Sequence, residues 1–205
     1  MSDLYTQIRV DRSDFVRPIY KLAISLSNIG KMNKNLENIL ELENRKEFEN
    51  AFKSYEHLYS KDKQNFEVWK YFYFFLWIII ENMPNDFVEK INREERLKNM
   101  YYEGKQNFSE LAEFNFIVGY TMSIFPYEFG NFEEHEKLSA ELLKKAKTLE
   151  SNNPICEMSY LSNINDENEN YKTITVDAGN KAIKDYDKIG LLNDYFKQVL
   201  YRIKK

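Results

Sequence analysis

Four carboxylates, Glu128, Glu133, Glu134 and Glu136, fall within nine positions of the chain beside three aromatic residues, Tyr127, Phe129 and Phe132. No Lys or Arg interrupts that stretch until Lys137. Acidic groups around aromatic anchors are suited to a basic protein partner, with a dry centre and a charged rim. The competing reading is a solvated helix start, because carboxylates are favoured by the positive end of the helix dipole.

Other chemistry is thinly represented. The six glycines are isolated at 30, 104, 119, 130, 179 and 190, so neither a P-loop nor a dinucleotide-binding glycine pattern is present. His57 and His135 satisfy no metal-binding HExxH or ExxH spacing. The insert Asn163, Asn165, Asp166, Glu167, Asn168, Glu169 is oxygen-rich like a calcium loop but lacks the turn glycine and terminal bidentate Glu of an EF-hand. Cys156 follows no cationic residue that would stabilise a thiolate, and one cysteine forms no internal disulfide. Adjacent pairs such as Glu94 and Glu95 diverge on a helix and do not share acid–base work. No cofactor and no metal are expected.

With 29 Lys and Arg against 33 Asp and Glu, the formal charge of −4 offers no excess of positive charge for a phosphate backbone. Nucleic acid is therefore a poor candidate partner. The strongest apolar run, Tyr71 to Ile80, is half the roughly 20 residues a membrane span needs, and Met1 to Arg12 lacks the apolar stretch of a secretory signal. A soluble, cytoplasmic protein is expected, with no membrane partner.

The elements that position these residues are helical. Gly and Pro together number 10 of 205 residues, too few for the many turns of a sandwich or barrel. At 43% hydrophobic with 30 Phe and Tyr, the chain can bury a substantial core as one all-helical domain over 1–205, with 1–12 as a lead. Helical periodicity predicts elements from Ser13 or Asp14 to Gly30, from Asn33 to Leu42, and from Phe48 to Tyr59, followed by a loop at Ser60 to Asn65. Phe66 to Met83 is apolar all round and ends at Pro84. Helices then follow at 86–102, 108–125, 132–149, 154–164, 176–188 and 191–203, with Tyr171 to Val176 β-prone.

Self-similarity appears at one spacing. Ala51, Tyr55, Leu58, Asp62, Asn65, Trp69, Phe72 and Leu76 have counterparts 88 positions later at Ser139, Leu143, Ala146, Glu150, Asn153, Glu157, Tyr160 and Ile164, identical at the asparagine and of like type elsewhere except where Glu157 corresponds to Trp69. The arrangement resembles the junction between tetratricopeptide repeats: the segment Ala146 to Pro154 is similar to the repeat-joining turn, and Trp69 stands where the first-helix tryptophan falls. The repeat-like region covers 45–164. Bulky Tyr73 and Leu161 replace the small residue at the family's helix crossing, which implies wider or differently angled crossings and a degenerate array; an irregular helical bundle is the alternative. The resemblance implies antiparallel helix hairpins stacked as a short superhelical array, with Glu67, Lys70, Phe74 and Trp77 on the concave face and Glu67 and Lys70 able to meet a ligand. Core burial of Phe74 and Trp77 competes with that placement.

The function expected is non-enzymatic protein binding. Within that class stands an immunity or antidote protein whose carboxylates block a basic toxin, a nuclease for example. A regulatory or chaperone adaptor holding a peptide in the groove is one alternative. An α-helical enzyme with a dispersed site and a structural oligomer subunit are the others.

Overall fold

The computed structural model describes residues 33–201 apart from Asn82 and Glu167, so the helix expected from Ser13 or Asp14 to Gly30 and the lead at 1–12 lie outside the described residues. Within them the chain is all helical, in the order α1 (Lys34–Asn44), α2 (Phe48–Lys61), α3 (Phe66–Ile78), α4 (Asn85–Lys90), α5 (Arg93–Phe108), α6 (Ala112–Ile124), α7 (Phe132–Leu149), α8 (Pro154–Asn163), α9 (Tyr171–Asp185) and α10 (Leu191–Tyr201). Single 3₁₀ turns, Ile79–Glu81 and Pro126–Glu128, extend α3 and precede α7.

Successive helices pack as hairpins, most extensively α6 on α7 and α8 on α9. The core is centred on α3, whose residues Val68 to Ile78 are all buried. A helix with no solvent face must be covered from several directions. Phe72 meets Phe52, Tyr55 and Tyr59 from α2, while Trp69 packs on Phe108 of α5 and Phe114 of α6. The remaining side is covered by α10: Phe74 touches Tyr195 and Phe196, and Trp77 touches Tyr195. α10 also contacts α1, so among the described residues the last helix returns to the first.

Three local expectations change. The helix expected over 86–102 is broken at Asn92, whose left-handed backbone (φ 50°) turns the chain between α4 and α5. Asn tolerates that conformation, and the turn lets Phe87 and Ile91 point inward before α5 begins. The helix expected from Phe108 begins instead at Ala112. Phe108 closes α5, and the Asn115 amide donates to the carbonyls of Ser109 and Leu111, securing the turn.

The β-prone segment Tyr171 to Val176 forms the first turns of α9. Its Thr175, Ala178 and Ala182 are buried, so packing overrides strand propensity. Tyr73 lies fully inside and its hydroxyl pairs with Thr121 Oγ1 at 2.7 Å. A close approach of α3 and α5 occurs at Gly104, where a Cβ would stand 2.5 Å from the Trp69 ring.

Candidate functional site

The region singled out by carboxylates and aromatics is the entry to α7. Asn131 caps the helix by accepting the Glu134 amide on its side chain at 3.1 Å, and its carbonyl accepts a hydrogen bond from His135 Nδ1 at 2.8 Å. The His135 ring stacks on Phe129, which sets the angle at which the chain enters the helix. Substituting Asn131 by Ala is expected to cost about 1 kcal/mol of stability, measurable by urea unfolding, because it orphans the Glu134 N–H.

The structure divides the predicted residues. Tyr127 and Phe132 are 59% and 53% exposed, and Glu133, Glu134 and Glu136 are exposed with no ion pair among the described residues. Glu128 and Phe129 do not share that surface. Glu128 is buried and paired with the guanidinium of Arg93, 35 positions earlier, a partner that proximity in sequence does not reveal. Phe129 is buried against Tyr101. The exposed group is therefore three carboxylates and two aromatic rings, Tyr127 and Phe132.

Glu133 and Glu134 line an open depression of about 520 Å³ with Lys105, Asn131, Lys137 and Glu141. Glu141 was missed in the sequence, although its place two turns after Glu134 puts both on one helix face. Lys105 enters from α5, and no local pattern signals it. Glu136 is exposed but does not line the depression.

The second predicted position, Glu67 and Lys70 on a concave groove, is divided: Glu67 is exposed and Lys70 is not. Lys70 is buried, and its Nζ contacts Glu67 Oε1 and Glu113 Oε1, each at 2.8 Å. Burial works against its charge, but the attraction of Glu113 and Glu67 outweighs that and holds the ammonium above its ordinary range. The adjoining face, with Phe74 and Trp77, is filled by α10. Lys70 is thereby a tether between α3 and α6.

A smaller groove of about 260 Å³ lies between α2 and α5 over Phe72, Leu76 and Met100. Its charges neutralise one another. Lys63 Nζ and the Tyr59 hydroxyl bind Glu103 at 2.6 and 2.7 Å, and Arg96 binds Glu56 at 2.5 Å. Burial raises the Glu103 carboxyl, but the bonds from Lys63 and Tyr59 outweigh it and hold the group below its usual range. Cys156 is buried, and burial pushes its thiol up to about 12, the reverse of an activated nucleophile. Among the described residues, no three His, Cys, Asp or Glu side chains converge as metal ligands, and no helix is long and apolar enough to cross a membrane.

Compared with protein-family models, curated proteins and solved structures, the chain has no significant match in any of the three.

Proposed function

We propose that this chain is a non-enzymatic protein-binding helical array of degenerate tetratricopeptide-like design, and that it acts in the cytoplasm as an immunity protein, docking a basic toxin domain on the start of α7. The observation that carries the reading is the exposure of Tyr127 and Phe132 beside Glu133, Glu134 and Glu136, none of these carboxylates being in an ion pair among the described residues. Exposed aromatic rings supply contact area at low entropic cost, and unpaired carboxylates steer a cationic surface and take the places of phosphates upon it. A peptide-groove adaptor is less well supported, because α10 fills the face that would line the groove.

The test is purification of the tagged protein from its source with its stoichiometric partner, followed by titration. Changing Glu133, Glu134 and Glu136 together to Ala is expected to weaken binding roughly tenfold at low salt, at about 0.2–1 kcal/mol per rim charge, and to flatten its salt dependence. Phe132→Ala is expected to cost about 2 kcal/mol if the ring is an anchor. A partner that stays fully active in the complex, or an affinity indifferent to the three glutamates, contradicts the reading.

A further inference from the structure

The junction between α10 and α1 contains a buried carboxyl that none of the binding surface uses. Glu43, near the end of α1, is 3% exposed and has no ion pair among the described residues. Its Oε1 accepts the Tyr55 hydroxyl of α2 at 2.7 Å, and its Oε2 accepts the backbone N–H of Leu191 at 2.8 Å. Leu191 is the first residue of α10. The carboxyl thus satisfies one of the amides that every helix start leaves unpaired, a capping role supplied here from a different helix, 148 positions away in the chain.

The approach is tight. Gly190 has φ +108°, and a Cβ there would lie 2.8 Å from Leu40 Cδ2 and 3.0 Å from Glu43 Oε2. Glycine is required by both the backbone angle and the space. From this anchor α10 runs across α3: the Asn193 amide donates to the Tyr71 hydroxyl at 3.2 Å, and Tyr195 and Phe196 cover Phe74. One contact between carboxyl and helix start therefore sits where α10 begins its path across α3.

The titratable groups acting on Glu43 are Tyr55 from α2 and Asp194 from α10. Tyr71 of α3 acts in turn on Tyr55, whose phenol burial holds well above its ordinary range, so it stays neutral: its hydroxyl donates to the ionised carboxylate and accepts the proton of the neutral carboxyl. Burial is the largest influence on Glu43 and pushes its carboxyl up to about 7; the bonds from Leu191 and Tyr55 lower it, and the charge of Asp194 raises it. A charge in this position lacks both water and a counterion.

We propose that Glu43 makes the closure of α10 over α3 a proton-linked latch, tight when the carboxyl is protonated and loosened when it ionises. The sign follows from linkage. In the released state the carboxyl meets water and returns to its ordinary value of 4.5, so between 4.5 and about 7 the closed state holds the proton that the open state has lost. Rising pH therefore favours release across that window, by up to about tenfold in the opening constant per pH unit for a single proton. Above it the group is ionised in both states and the dependence ends. The latch is independent of the partner surface on α7.

Amide exchange of the full chain, followed by mass spectrometry across pH 5 to 8 and corrected for intrinsic exchange rate, tests this. The α10 amides are expected to lose protection with rising pH by up to about tenfold per unit and then to level near pH 7, while those of α7 change less. Glu43→Gln, neutral at every pH, is expected to flatten the α10 profile. Asp194→Asn, which retains the carboxyl and removes the neighbouring charge, is expected to move the upper end of the slope to lower pH, and serves as the readout if the glutamine variant does not fold. A flat wild-type profile, the same slope in Glu43→Gln, an unmoved profile in Asp194→Asn, or α10 amides that exchange only together with the whole molecule would each overturn the latch.

Discussion

Arg93→Ala is expected to lower the free energy of unfolding by about 3–5 kcal/mol, the cost of leaving one partner of a buried ion pair without the other. The side chain is 2% exposed and bonded on every arm of its fork. Nε donates to the Leu76 carbonyl at 2.7 Å, Nη2 donates to the Trp77 carbonyl at 3.0 Å, and Nη1 meets the Glu128 carboxylate. The two carbonyls belong to the last turn of α3, where a helix runs out of its own donors. Removing the guanidinium therefore orphans two acceptors and a charge in one stroke. Lysine should recover little of the loss, because a single ammonium cannot reach three acceptors in a planar arrangement. Replacing both Arg93 and Glu128 by apolar residues of similar size should be milder than Arg93→Ala, since no uncompensated charge is left. Urea unfolding of the three variants decides it: a loss below 1 kcal/mol for Arg93→Ala would show that water reaches the pair.

Arg93 also marks where the sequence ceases to be legible. Periodicity identifies α3 as central because its apolar residues have no polar side, and it places α7 at 132–149 because Leu138, Leu142, Leu143 and Ala146 recur among charges. It does not show that Glu128 leaves the acidic cluster to meet Arg93, because that pairing depends on how α5 crosses the end of α3. The same limit applies to Lys70. Its position on α3 was readable, whereas the burial that turns it into a tether depends on Glu113, 43 positions away.

The return of α10 onto α1 and α3 was equally hidden. Repeat-like spacing argues for neighbours in order. Nothing local distinguishes a terminal helix that extends the stack from one that folds back onto α1 and α3. The signals in retrospect are small: a glycine before α10, and a glutamate among the apolar positions of α1. Surface residues fared better. Tyr127, Phe132, Glu133, Glu134 and Glu136 lie exposed where their helix-start pattern puts them, because exposure of charges at a first turn is a local preference.

Trp69→Ala is expected to cost about 3–5 kcal/mol, as for other fully buried large aromatics cut to Ala. The indole is enclosed by Phe66, Tyr73, Phe108 and Phe114, and its N–H donates to the Met100 carbonyl of α5 at 2.8 Å. Its truncation loses transfer energy, leaves a void between three helices and removes that carbonyl's bond from the indole. Gly104, one turn further along α5, tests the same contact from the opposite side. A Cβ at this position would fall 2.5 Å from Trp69 Cε2, and the ring is packed on both faces, so Gly104→Ala should destabilise by about 1–3 kcal/mol despite alanine's better helix propensity. The two changes should not add. Once the indole is gone, a methyl at 104 enters vacated space, and the double variant should be more stable than the sum of the single losses implies, by about 1 kcal/mol or more. Additive losses within about 0.3–0.5 kcal/mol would mean that the close crossing of α3 and α5 is not set by the glycine and the tryptophan together.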